Sequence, residues 1–322
     1  MKKHQNIYLN FSSIPKLTVK AKEKKNFSKN NELEKLIKFS SLKKFIGVEF
    51  PYFRFLSQTI FSKDLIQILK KYNQNYLIDC EKRISKKELI KLINISKKLK
   101  VDFIRVKCSN ILSCNRYKYN RNWSFKINSI IKKINQLKPI LEKNKIKLAI
   151  ENHQDLDSND ILYIIKKVGK GSVGVNFDIG NAYATCENPL DFFKKIKKYI
   201  LNIHLKDYLI LPTKKGFSLN RCPIMNGDAK IFEILHLIKK NNLTAPISLE
   251  LGAPTAREIK VKNANFFKQF IKKENLKLKS MKSIMSIADD NQKNIKKIKN
   301  LISLNEINML NKSLNNLNRI QI

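Results

Sequence analysis

Four stretches carry the strongest structural signal: LAIE (148–151), VNFD (175–178), LNIH (201–204) and ISLE (247–250). Each is a short apolar run that closes on one ionisable residue. Side chains alternate across a β-strand. One set, Leu148 and Ile150, Val175 and Phe177, Leu201 and Ile203, Ile247 and Leu249, is therefore predicted to face outer helices. The other set carries Ala149, Asn176, Asn202 and Ser248, then Glu151, Asp178, His204 and Glu250 at the C-terminal ends. Separate burial of four such groups costs several kcal/mol each, at about 2–7 per polar group and more per charge. Placed together they have a reason to be there. Three carboxylates and one imidazole suit a divalent metal ion.

The spacing agrees with that reading. Glu151 to Asp178 is 27 residues and Asp178 to His204 is 26, about one strand-helix unit each. His204 to Glu250 is longer, with a loop expected over 208–228. Along the whole chain, FIGVEF (45–50), YLIDC (76–80), VDFIRVKC (101–108), IKLAIEN (146–152), VGVNFDIGN (173–181), ILNIHLKD (200–207) and APISLEL (245–251) are strand candidates separated by helical patterns. With IYLNF near the N-terminus as a first strand, they number eight. Strand-helix alternation of this length implies a parallel sheet, and eight strands predict a closed (β/α)8 TIM barrel. Neither GxGxxG nor GxxxxGKS occurs, so no nucleotide fingerprint supports an open sheet.

Turn punctuation bounds the domain. The eight Gly lie between Gly47 and Gly252 and the eight Pro between Pro15 and Pro254. Residues 1–30 form an N-terminal segment holding the possible first strand, 31–254 the barrel, and 255–322 a helical extension. In that extension Leu301, Leu304, Ile307, Leu310, Leu314 and Leu317 recur as on one helix face. The stripe is predicted to pack on the domain or on a second copy of the chain.

The 322 residues are 43% hydrophobic, which excludes disorder throughout. No stretch approaches the ~20 apolar residues of a membrane span, and the opening MKKHQNIYLNFSSIPKL lacks the continuous apolar segment expected of a secretory signal. Cys80, Cys108, Cys114, Cys186 and Cys222 are scattered and odd in number, which points to a reducing cytoplasm rather than a disulfide framework. The net charge of +39 suggests nucleic acid first. The excess is nearly all Lys, however, amid abundant Asn and Ile, residues that share A/T-rich codons. Compositional drift accounts for it better than selection, and only nonspecific nucleic-acid adhesion is expected.

At FIGVEFP, LAIENH, VGVNFDIGN, NIHLKD, RCPIMNGD and ISLELG the chain resembles the sugar phosphate isomerase/epimerase family, the xylose-isomerase-like barrels. The resemblance covers roughly 45–252. It implies a Mn, Mg, Co or Zn ion held by Glu151, Asp178, His204 and Glu250, with the two Glu acting as acid and base. The implied activity is isomerisation or epimerisation of a keto sugar or related polyol through a metal-stabilised enediolate. A lyase, either a sugar-acid dehydratase or a decarboxylase, could use the same site. A DNA-repair endonuclease branch needs more histidines than His4, His153, His204 and His236 supply. A non-catalytic barrel binding a partner through its C-terminal helix is the remaining reading.

Two positions depart from the family pattern. Met225 stands where Gly is common, and Asn181 where the epimerases commonly have His. Asn181 can hydrogen-bond a substrate hydroxyl but cannot shuttle a proton. Further substrate-binding candidates are His153, two beyond Glu151; Lys206, two beyond His204; and Arg221, in the following loop. Glu49 either binds a hydroxyl or pairs with a lysine. Arg105 either binds an anionic substrate group or neutralises barrel carboxylates. Asp207 is expected to orient a loop, and NRYKYNRNW (115–123) reads as a lid or a basic loop.

Overall fold

The computed structural model describes residues 7–14, 29–52, 62–80, 85–116, 123–266 and 275–320. Eight parallel strands close a barrel: β1 (Ile7–Asn10), β2 (Gly47–Pro51), β3 (Asn75–Cys80), β4 (Phe103–Val106), β5 (Lys147–Glu151), β6 (Val173–Asp178), β7 (Ile200–Leu205) and β10 (Ile247–Leu249). The IYLN strand is the closing member, pairing with both β2 and β10. The outer ring comprises α1 (Lys29–Leu42), α2 (Ser62–Lys71), α3 (Lys86–Leu99), α4 (Trp123–Asn144), α5 (Ser158–Val168), α6 (Pro189–Ile196) and α7 (Ile231–Lys240). Local chemistry sets several starts. Ser85 and Glu88 form a capping box on α3, Asp157 and Asp160 form one on α5, and Asn188 caps α6 ahead of Pro189.

The barrel interior has an apolar floor and a polar mouth. Leu77, Phe103 and Ala149 form the floor, with Tyr8 and Leu201 packed against them. Leu201 corrects the alternation expected of LNIH. Val175 pairs with Ile200 and Asn176 with Asn202, so the register shifts by one residue. This bulge sends Leu201 inward while Ile203 joins the outer core. Gly174 makes room for it, because a Cβ there would lie 2.6 Å from the Leu201 side chain.

The stretch expected as a loop over 208–228 holds a β-hairpin instead. Strands β8 (Tyr208–Thr213) and β9 (Gly216–Arg221) pair antiparallel, and β11 (Arg257–Ile259) adds to β9. Asp207 pins both ends of this excursion, accepting the Tyr208, Gly227 and Ala229 N–H groups at 3.0, 2.9 and 3.1 Å. Met225, the departure from glycine, adopts φ 67° and so keeps the left-handed backbone that glycine favours.

The C-terminal extension folds back on the same chain as α8 (Asn275–Lys293), α9 (Ile295–Ile302) and α10 (Glu306–Asn318). The leucine stripe therefore runs over two helices, not one. The helical run is interrupted at Ser303–Asn305, where Asn305 caps α10. Met309, Leu310, Leu314 and Leu317 are buried in the main core, and Asn291 donates to Ile210 O and Asp228. The five cysteines are buried as thiols. Among the described residues no helix is long and apolar enough to cross a membrane. Residues 117–122 of the expected lid lie outside the described residues. Trp123 itself donates to Asp160 at 3.1 Å and carries the Arg116 guanidinium 4.7 Å from its ring.

Replacing Gly227 tests the hairpin anchor. A Cβ there would sit 2.6 Å from Tyr208 O and against the Asp207 carboxylate. Gly227→Ala should lower unfolding stability by about 1–3 kcal/mol, read from urea denaturation.

Candidate metal centre

Glu151 is the last residue of β5, Asp178 the last of β6, His204 the penultimate residue of β7, and Glu250 follows β10 directly. Parallel strands in register deliver all four to the same rim. Asp178 stands opposite His204, and Ser248 opposite His204 on the other side. One ligand atom from each of Glu151, Asp178, His204 and Glu250 lies within 4.8 Å of the others, and all four residues are buried.

Each member is also gripped from outside. Arg105 holds Glu151 Oε2 through Nη2 and Asp79 through Nη1. Lys206 Nζ lies 2.5 Å from Asp178 Oδ2 and 2.7 Å from Glu250 Oε1. Asn181 donates its side-chain N–H to Asp178 Oδ2 at 2.6 Å. Asn152 brackets the same residue, donating to Asp178 O at 2.8 Å and accepting Asp178 N–H at 2.7 Å. His204 Nε2 is 3.0 Å from both Glu49 oxygens.

The inner faces are unsatisfied. Glu151 Oε1, Glu250 Oε2 and His204 Nδ1 are buried with no well-directed hydrogen bond, although Nδ1 approaches Glu250 Oε2 to 2.7 Å. Buried polar atoms are normally paired. Orphans of this kind, converging from three strands, are what a cation would satisfy.

Charge points the same way. Glu49, Asp79, Glu151, Asp178 and Glu250 are buried together, and the buried groups that oppose them are Arg105, Lys206 and His204. Carboxyl groups outnumber the buried cationic groups in this layer, a surplus that a divalent ion would offset. The strain shows in ionisation. Burial, with Glu250 and Glu151 nearby, pushes the Asp178 carboxyl up to about 7 despite Lys206. Burial opposes ionisation of Glu151 as well, but Arg105 outweighs it and brings the group down to about 2. Glu250 is buried too, and Lys206 with His204 holds it well below the usual range. His153 is pushed down to about 3 by burial against the pull of Glu151, so its ring is neutral. The donor set therefore fits a hard or borderline divalent metal such as Mg, Mn, Co or Zn.

The other sequence candidates fall into place around this centre. Arg105 is spent on barrel carboxylates. Glu49 faces His204, not a lysine. Lys206, Asn181 and His153 adjoin the ligands. Arg221 is buried at the end of β9, where the charge of Glu306 of α10 acts on it. Sequence reasoning missed Asp79, whose inward phase at the end of YLIDC was the available signal. It also missed Gln154, which links Asn181 at 3.3 Å to the Ser113 N–H at 2.9 Å.

Known proteins share this architecture. A family model described as xylose isomerase-like TIM barrel matches residues 75–274. A 3-oxo-isoapionate decarboxylase from Pectobacterium atrosepticum is 24% identical over 91 residues, 28% of this chain and 33% of the relative. The matched region spans about a third to two fifths of the length of the relatives found by sequence. A xylose isomerase-like TIM barrel protein from Mycobacterium smegmatis, solved in complex with magnesium, superposes with TM-score 0.60 at 15% identity, covering 89% of this chain and 100% of that one. The E. coli 3-keto-D-glucoside 4-epimerase superposes with TM-score 0.56 at 9% identity, covering 83% and 98%. At these identities the two structures establish the fold. With more than half of its length matched by the family model and eight strands closed as that fold requires, the chain belongs to the xylose isomerase-like TIM barrel family.

Proposed function

We propose that this protein is a divalent-metal-dependent isomerase or epimerase of a keto sugar or related polyol. The observation that carries the reading is the pair of half-anchored glutamates. Glu151 and Glu250 each give one oxygen to a cation, Arg105 or Lys206, and turn the other toward the shared centre, where Glu250 Oε2 meets His204 Nδ1 at 2.7 Å. A divalent ion held by Glu151, Asp178, His204 and Glu250 supplies Lewis-acid stabilisation of negative charge on adjacent substrate oxygens.

The protein's own groups then divide the work. Both glutamates are ionised at neutral pH, so either can accept a proton from the substrate carbon beside a carbonyl. Because they come from β5 and from beyond β10, they reach the substrate from different sides of the rim. One would take the proton and the other return one, to the opposite face for epimerisation or to the neighbouring carbon for isomerisation. Arg105 and Lys206 hold the spectator oxygens still. Asn181 fixes Asp178, and neutral His153 is suited to a hydroxyl contact.

A second reading is a lyase at the same centre. It is favoured by the decarboxylase among the sequence relatives and by the Lys206 ammonium, which suits an acid substrate. The proton chemistry is shared and only the departing group differs.

Purified protein should contain about one divalent ion per chain. Chelation should abolish turnover and lower the melting temperature, and manganese at about 100 times its Kd should restore about 2.7 kcal/mol of stability. Glu151→Gln should keep the fold but reduce exchange of substrate carbon-bound hydrogen in heavy water by about 10²-fold or more. Undiminished exchange would remove Glu151 from the mechanism. In a panel of keto sugars assayed in heavy water, deuterium uptake without loss of water or CO2 supports the isomerase or epimerase, and release of either supports the lyase.

A further inference from the structure

The barrel interior beneath the centre holds a polar ladder that none of the proton-transfer steps uses. Asn176 on β6, Asn202 on β7 and Glu49 on β2 point inward, and all three are buried without measurable exposure. Asn202 donates one side-chain N–H to Asn176 Oδ1 at 2.6 Å. The same amide nitrogen faces both oxygens of Glu49 at 3.3 Å. Glu49 in turn meets His204 Nε2 with both oxygens at 3.0 Å. Chain order separates Glu49 from His204 by 155 positions, and three strand-to-strand steps around the barrel lie between β2 and β7. The contact thus crosses the lumen.

An ionised carboxylate only accepts. The nitrogen it faces must therefore carry hydrogen. The other ring nitrogen, Nδ1, is the atom turned toward Glu250, and it lacks a directed hydrogen bond. We propose that Glu49 is a positioning residue: by accepting Nε2–H it fixes the plane of the His204 ring and reserves the Nδ1 lone pair for the metal ion. Asn202, oriented by Asn176, keeps the Glu49 carboxylate turned toward the ring. Hydrogen bonds of this kind to a ligating histidine set its tautomer and raise its basicity. The inference rests on the metal-centre reading for its second half only. The contact between Glu49 and His204 Nε2 does not depend on that reading.

Two measurements on the full-length protein separate the halves. The first is proton NMR of the histidine ring N–H region, with His204 assigned by its loss in His204→Gln. A slowly exchanging, downfield Nε2–H signal from His204 is expected in the wild type and should vanish in Glu49→Ala. The second is titration with manganese or zinc. Wild type should bind, Glu49→Ala should bind about 10- to 100-fold more weakly, and Glu49→Gln, whose amide oxygen still accepts, should recover part of that loss. No metal binding by wild type would overturn the metal centre, with the NMR result still deciding the role of Glu49. Wild-type affinity in Glu49→Ala, or a ring proton found on Nδ1 with Nε2 bare, would overturn the proposal. If Glu49→Ala does not fold, the wild-type ring signal and the Glu49→Gln titration decide it.

Discussion

Like charges buried at one end of the barrel set the terms for the whole molecule. Glu151, Asp178 and Glu250 would repel one another out of a low-dielectric site if nothing opposed them. Two built-in cations oppose them in part. Arg105 ties Glu151 to Asp79, and Lys206 ties Asp178 to Glu250. The compensation is incomplete in its geometry: at both glutamates a cation holds the outer oxygen, while the inner oxygen of Glu151 lacks a hydrogen bond and that of Glu250 faces the His204 ring. Anchoring the outer atoms is what lets the inner ones stay reactive, because a fixed carboxylate need not reorganise when charge changes beside it.

The rest of the chain serves to hold this arrangement still. The floor of Tyr8, Leu77, Phe103, Ala149 and Leu201 fills the lumen below, so the polar layer has only one direction to face. Asp178 is braced by Asn152 and Asn181, and Asn181 passes through Gln154 to the loop around Ser113. Beyond that loop, Arg116 and Lys277 converge on Asp157 at the start of α5, so the C-terminal extension is tied into the same frame. On the other flank Asp207 gathers three backbone N–H groups and fixes the path after β9. Loops on a barrel rim gain rigidity this way without a core of their own.

The strand endings show how much of this is visible before folding. A period of two, interrupted by one ionisable residue at each end, encodes both the strand and the direction of its last side chain. That is why Glu151, Asp178, His204 and Glu250 could be placed on one rim from spacing alone, and why eight apolar runs implied closure. The same logic failed at Leu201, where a bulge shifted the phase within LNIH. It failed over 208–228, where the hairpin carries weak alternation and its pairing to β11 is long in sequence. It failed again at the leucine stripe, because apolar periodicity continues smoothly across the Asn305 cap that divides α9 from α10.

Amino-acid order alone set the barrel, the run of its strands and the four groups at the rim, since periodicity and strand polarity are local properties. The partner each group found came only with the closed fold. Arg105 went to Asp79 and Glu151, Lys206 to Asp178 and Glu250, and Glu49 to His204. Those pairings cross the lumen or join distant loops, and closure of the barrel is what brings charges so far apart in sequence within a few ångströms, where burial makes every pairing count.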